Sequence, residues 1–287
     1  MHIILGGTGH VGVAVAQTLL RAGEPVTVVT HQPGHAAHLQ RQGAHVAVAD
    51  AQDVGTLRQI FNTGQRLFLL NPPADPSTDT VAEEQHTLRC ILEALPGTSI
   101  DKIVAESTYG AQPGQGHGDL NVLYDMEQAL AKLDASMSII RAAYYMSNWA
   151  PYLPAVREKG QLPSLYPADF KLPMVAPADL GQVAARLLRE PLATTGLHYV
   201  EGPATYSPAE VAAAFSQALG RPVAVAVTPR AEWEAALQAT GFSKKAAASF
   251  AAMTGLTLDG AARPAHPERG TITLAQYIGE LVKTPPR

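Results

Sequence analysis

Four glycines carry the clearest chemical signal in this 287-residue chain. In the run LGGTGHVG, Gly7, Gly9 and Gly12 spell G-x-G-x-x-G, and Gly6, Gly9 and Gly12 spell G-x-x-G-x-x-G. An apolar run precedes them and a helix-forming stretch, Val11 to Arg21, follows. Glycines in that setting let backbone N–H groups approach an anion, and the helix N-terminus adds partial positive charge. Gly6, Thr8, Gly9, His10 and Val11 are therefore expected to hold the pyrophosphate of a dinucleotide.

Other candidates follow from the ends of the later apolar runs. The run Val26 to Thr30 leads into His31 and His35, where an adenosine ribose would land. A carboxylate there selects the 2′-hydroxyl of NAD, and a basic group receives the 2′-phosphate of NADP. Thr30 to His35 contains no acid, so NADP is the first expectation and NAD the second. Imidazole is a weaker phosphate partner than guanidinium, because it is charged only part of the time near neutral pH. Asp50, after Ala44 to Ala49, is placed to meet the adenine, and Asp53 to cap the helix that follows. Asn71 and Pro72 turn off the fourth run and Ser107 ends the fifth, so these three flank the nicotinamide side. His31, His35 and His38 fall at metal-like spacing, but no Cys, Asp or Glu joins them nearby, and no metal is expected.

These residues need a scaffold that brings strand ends together. Apolar runs at His2–Leu5, Val26–Thr30, Ala44–Ala49, Arg66–Leu70, Lys102–Glu106 and Met137–Arg141 alternate with helical patterns. The helical stretches include Val54–Phe61, Val81–Leu95 and Leu120–Lys132. Such alternation specifies an α/β, Rossmann-type doubly wound parallel sheet, with ligand over the carboxyl ends of the strands. The Gly-rich run Gln112 to Asp119 reads as a loop. Beyond about Trp149 the rhythm changes to turns, short strands and helices, with a capping box at Ser207–Glu210. The expected division is a dinucleotide domain over 1–150 and a smaller C-terminal α+β substrate lobe over 151–287 that closes over the ligand, with room for segments of the second part to return to the main sheet.

Composition limits the partners. Charged residues make up 16% and the net charge is −4, so nothing draws the chain to nucleic acid or an acidic membrane surface. No apolar run is long enough to span a bilayer. Met1 runs straight into the first apolar stretch with no basic leader, so the expected location is cytoplasmic. The single cysteine, Cys90, sits among Leu88, Ile91 and Leu92 and reads as core.

Taken together, these motifs resemble the NmrA-like group of atypical short-chain dehydrogenases. The likeness spans nearly the whole chain: GGTGHVG at 6–12, Asp50 with Asp53, Ser107-Thr108-Tyr109-Gly110-Ala111, Glu127, Arg141, Asn148, Pro177-Ala178-Asp179-Leu180-Gly181, and Glu201-Gly202-Pro203 before Ser207. It implies an NAD(P)-binding fold of the NmrA or quinone-reductase type, often with NADP. Members of that group often carry Arg where this chain has His31 and Lys near His35. The wider superfamily moves protons with Tyr-x-x-x-Lys, where the lysine lowers the tyrosine pKa. Counting back from Glu127, those positions fall near Asp119 and Leu123, while Tyr109 and Tyr124 are followed at +4 by Pro113 and Gln128.

Two readings follow. The first is an NAD(P)H-dependent oxidoreductase passing hydride directly to a quinone or similar flat electrophile, with Tyr109, Tyr144, Tyr145 and Trp149 as pocket walls. Ordinary core packing is the alternative for each of those aromatics. The second is a non-catalytic NAD(P)-binding redox sensor acting through a protein partner. A homodimer is expected only by analogy of fold.

Overall fold

The computed structural model describes residues 1–114, 116–260 and 264–284. Its first half alternates β1 (His2–Ile4), α1 (His10–Arg21), β2 (Val26–Thr30), α2 (Ala37–Arg41), β3 (His45–Val48) and α3 (Val54–Phe61). It continues through β4 (Arg66–Leu69), α4 (Thr80–Ala94), β5 (Lys102–Thr108), α5 (Asp119–Leu130) and β6 (Ser136–Ala142). Then come β7 (Tyr144–Tyr145), α6 (Leu153–Lys159), β8 (Gln161–Ser164), β9 (Leu172–Val175), α7 (Pro177–Arg189) and β10 (Gly196–Glu201). The chain closes with β11 (Thr205–Tyr206), α8 (Pro208–Leu219), β12 (Ala224–Val227), α9 (Trp233–Ala239), α10 (Lys244–Leu258), β13 (Glu268–Arg269) and α11 (Leu274–Lys283).

The main sheet has eight strands in the order β13-β10-β6-β5-β4-β1-β2-β3. Every pairing within it is parallel. The segment β3-β2-β1-β4-β5-β6 is the doubly wound order, and the switch between β1 and β4 puts the ligand crevice at their carboxyl ends. One face is covered by α1 and α7, whose Val15, Leu19, Leu180, Ala184 and Leu187 are buried with Val28, Phe68 and Val104 of the strands. The other face carries α3, α4 and α5 over Ile3, Leu67, Leu69 and Ile103. A third core, built on Trp149, Met174, Phe215 and Ile278, belongs to the lobe. There β11-β9-β7 form a small mixed sheet and β12 pairs β8 in parallel.

Local signals read from the sequence account for many boundaries. Asp53 caps α3 by accepting from the Thr56 N–H, and Ser207 with Glu210 closes the capping box of α8. Cys90 is buried on α4. Elsewhere the fold departs from the pattern. Helix α7 opens at Pro177 and packs on α1 rather than on the lobe, because Gly181 lets its backbone lie against Ala14. Strands β10 and β13, far along the chain, extend the main sheet. Among the described residues no helix is long and apolar enough to cross a membrane.

The amino edge of the sheet is held by a buried lysine and a half-buried arginine. Lys102 Nζ, at the start of β5, donates to the carbonyls of Glu190, Pro191 and Thr194 at 3.1, 2.9 and 3.1 Å. Arg66, on β4, donates to the carbonyls of Leu188 and Glu190. Together they pin the α7–β10 connection to the sheet. Lys102→Met keeps the stem and strands these carbonyls, so it is expected to lower stability by roughly 2–4 kcal/mol. The check is a urea unfolding curve, and an unchanged midpoint would show that water satisfies the carbonyls instead.

Candidate functional site

The turn between β1 and α1 is built so tightly that its glycines have separate reasons. Gly6 adopts φ +72°, which favours a residue without Cβ. A Cβ on Gly7 would lie 2.5 Å from Val28 Cγ1 on β2, and one on Gly12 would collide with the Gly6 carbonyl. Gly9 differs: its Cβ would meet only the Gly6 oxygen, at 3.4 Å. No packing within the protein forbids a side chain there, so an open face is what Gly9 preserves. Gly9 is also the N-cap of α1, with no side-chain cap and no acid in the first turn. Its own N–H is used by the Gly6 carbonyl at 3.1 Å. An uncapped helix start beside an open glycine fits an anionic pyrophosphate.

That turn opens on a cleft of about 1510 Å³. Its near wall holds Thr8, Gly9 and His10 with Gly34, His35 and His38 after β2. Its far wall comes from the lobe, through Ala150–Glu158 and the end of α11. Of the residues expected at the coenzyme, Thr8, Gly9, His10 and His35 line this cleft. Gly6 and Val11 shape the turn beneath it, Val11 as a buried residue of α1. His31 is exposed and stands outside the lining. Asp50 is exposed at the end of β3, its carboxylate accepting the Gln52 N–H at 2.9 Å. Among the described residues no three His, Cys, Asp or Glu side chains gather as a metal site.

The centre of the sheet's carboxyl edge carries a second polar group of residues. Asn71, buried at the end of β4, donates to the Glu84 carbonyl at 3.2 Å and keeps a buried side-chain oxygen without a partner. Pro72 follows in the same connection, which Glu84 holds by accepting the Ala74 N–H at 3.1 Å. Ser107 donates to Glu127 at 2.5 Å, and Arg141 grips the same carboxylate with bonds of 2.9 and 2.6 Å. Arg141 also donates to the Tyr199 hydroxyl at 3.1 Å. Tyr109 meets the Tyr199 ring edge-on and donates to Glu201 at 3.1 Å, and Arg269 pairs with that carboxylate. Tyr145 donates to Glu106 at 2.5 Å.

Burial, and next the Glu201 charge, pushes the Tyr109 hydroxyl well up. Burial and the Glu106 charge do the same to Tyr145. Glu106 itself is pushed up to about 7 by burial, against the Tyr145 hydrogen bond.

The four aromatics considered as walls are divided among different surroundings. Tyr109 and Tyr145 pack at the edge of the main core. Trp149, 1% exposed, lies in the lobe core, with Tyr144 tilted against it at 5.8 Å. None of the four lines the cleft. Glu106, Tyr199, His38 and Arg157 carry no local signal for the positions they occupy. Glu106 reads as one more strand residue, and Arg157 reaches the cleft only through the placement of the lobe.

A doubly wound sheet with an open glycine turn over its switch point defines a dinucleotide-binding α/β protein. The profile of the NmrA-like family matches residues 2–262, and the chain belongs to that family. It is 26% identical over 229 residues to the NAD(P)H azoreductase of Xenophilus azovorans, covering 79% of this chain and 77% of that one. The Escherichia coli NADPH-dependent quinone oxidoreductase, solved with NADPH, superposes with a TM-score of 0.73 at 23% identity, over 98% of this chain and 99% of that one. A nucleoside-diphosphate-sugar epimerase from Staphylococcus aureus gives 0.76 at 16% identity, over 97% and 99%.

Two predictions come from this geometry. Gly9→Ala has room for its methyl and is expected to fold normally yet weaken NADPH binding at least about tenfold, by blocking backbone approach. Gly12→Ala is expected to lose stability first, from the clash with Gly6. Thermal melts beside coenzyme titrations separate the two, and full affinity in folded Gly9→Ala would move the pyrophosphate elsewhere. The second concerns Glu84, which burial first and Asp119 second push from 4.5 up to about 8. The folded chain then binds more protons than the unfolded one between those values, so stability falls as pH rises through that window. Glu84→Gln is expected to gain on the parent across it by on the order of 2 kcal/mol, the coupling to Asp119 limiting the size. Urea midpoints from acid to mildly alkaline pH test this; a constant difference would mean Glu84 titrates as in water.

Proposed function

We propose that the chain is an NAD(P)H-dependent oxidoreductase, with NADPH as donor and a quinone, azo compound or similar flat electrophile as acceptor. When bound, the reduced nicotinamide supplies a hydride to the acceptor. The residues of the chain bind and orient: the turn Gly6–Val11 holds the pyrophosphate, His35 faces the adenosine ribose, and Asn71, Pro72 and Ser107 flank the nicotinamide side. His31 at the ribose and Asp50 at the adenine complete the proposed seat.

The observation that carries the choice of acceptor is the state of the hydroxyls at the carboxyl edge. Ser107, Tyr109 and Tyr145 each donate their proton to a carboxylate. A lysine beside a tyrosine makes it a better acid; a carboxylate beside it makes it a worse one. Neither Tyr109 nor Tyr145 is tuned for general acid work, and no Tyr-x-x-x-Lys pair replaces them in the sequence. Ketone reduction and epimerisation lean on such an acid. A flat, conjugated acceptor needs it less, since hydride addition yields a stabilised anion that water can protonate, and positioning does much of the work. The similarity to an azoreductase and to a quinone oxidoreductase supports the same class.

The test follows loss of the reduced-nicotinamide absorbance with NADPH and with NADH, against a panel of simple quinones and azo dyes. Coenzyme binding is measured in the same samples. Turnover is expected, with NADPH ahead. Tyr109→Phe is expected to change kcat by less than about tenfold, whereas removing a true general acid costs roughly 10²–10⁴-fold. Binding without turnover of any acceptor would replace this reading with the redox sensor. Loss of turnover in Tyr109→Phe would restore a proton-transfer role to that hydroxyl.

A further inference from the structure

The end of β2 is where the extra phosphate of NADP ordinarily finds its cation. In this chain that place, Thr30 to His35, holds histidines but no arginine or lysine. Thr30 Oγ1 accepts the Gln32 N–H at 3.1 Å and shares a 3.4 Å contact with the Thr8 hydroxyl. His31, the next residue, does not line the cleft. A permanent positive charge for the 2′-phosphate would therefore have to come from another element.

We infer that Arg157 of the lobe and His38 of α2, which line the same cleft, form the seat of the adenosine 2′-phosphate. Both residues line the cavity into which Gly9 opens. Arg157 is the one guanidinium in that lining. Its Nη2 donates to the Val282 carbonyl at 2.7 Å, which anchors the group at the end of α11. An arginine keeps its charge at every physiological pH and offers a planar fork that matches phosphate oxygens. His38 contributes an independent sign: its Nε2 is buried and has no hydrogen-bond partner within the protein. A ligand oxygen that drew the half-buried ring toward the cleft would give that nitrogen a partner.

Two carboxylates share the lining, Glu158 and Glu280. Glu280 is paired with Lys283 Nζ at 2.9 Å, so its charge is offset locally. Glu158 is the group that would favour the bare ribose hydroxyls of NADH, and it makes the choice between the two coenzymes a real test.

This assignment rests on the reductase reading, and the measurement separates the two. Dissociation constants of NADPH and NADH are taken from the fluorescence of bound reduced nicotinamide, with adenosine 2′-monophosphate as a competing probe. The full chain is compared with Arg157→Ala, Arg157→Lys and His38→Gln. Arg157→Ala is expected to weaken NADPH roughly 10- to 100-fold and the adenosine 2′-monophosphate probe in step, with NADH changed less than about twofold. Arg157→Lys is expected to recover part of the loss, and His38→Gln to lose several-fold for NADPH alone. Equal weakening of both coenzymes would make Arg157 a structural tie between α6 and α11 and overturn the assignment. So would an unchanged ratio, or a parent chain that prefers NADH. A parent chain that binds neither coenzyme would bring down the reductase reading, and the phosphate seat with it.

Discussion

The closeness of α1 to its own turn is the constraint on which the site depends. A single methyl on Gly12 would overlap the Gly6 carbonyl, and on the far side Gly181 brings α7 into contact with Ala14. The helix is thus fixed from both ends of its cross-section, by the turn beneath and by a neighbour without a side chain at the crossing. Its N-terminus cannot drift from the end of β1. The backbone N–H groups of the first turn are then aimed before any ligand arrives, and little ordering remains to oppose binding. The small residues of α7, Gly181 with Ala184 and Ala185, belong to the same arrangement, since bulk at the crossing would lift α1 from the sheet.

A second tie runs across the carboxyl edge. Glu127 on α5 receives Ser107 from β5 and a two-pronged grip from Arg141 on β6, at a register where Ser107 and Arg141 are paired neighbours. Taking such a pair out of water costs much of what its attraction returns, so its worth lies less in net stability than in uniqueness of arrangement. Any slip between β5 and β6 would leave a buried carboxylate or guanidinium alone. The Ser107 proton is thereby committed to holding this geometry.

How much of this was legible in the sequence varies with the range of the interaction. The six strands of the first half follow from apolar runs and the caps from Asp53 and Ser207, because those signals lie within a few residues of the structure they specify. The glycine turn was legible for the same reason. The lobe was not. Its strands of two to four residues include Pro163 and Pro173, and no periodicity can be read from so few positions. α7 carries an ordinary amphipathic pattern that does not say which core it joins. At the site, residues of the first half such as Thr8 and His35 were found from their place after a strand. Arg157 and Glu106 were not, since tertiary packing alone gives them their meaning.

A cation seated on the lobe changes what coenzyme choice does. If the 2′-phosphate were held at the end of β2, it would report only on the dinucleotide domain. Held by Arg157 as proposed, it would span the cleft between the glycine turn and α6, and bonding to it would favour whatever lobe position brings the two walls to phosphate distance. A ligand shifts an equilibrium by its differential affinity for the two states and by nothing else. NADPH would then have such a difference between any two lobe positions, and NADH, lacking the phosphate, would have less. Trp149, Tyr144 and Tyr166 pack together in the core of that lobe, so the lobe moves, if it moves, as one packed body. Were the lobe also to wall the acceptor, coenzyme identity and acceptor fit would be two readings of one coupling free energy. By linkage, an acceptor that favoured the same lobe position would tighten NADPH by the same factor that NADPH tightens the acceptor.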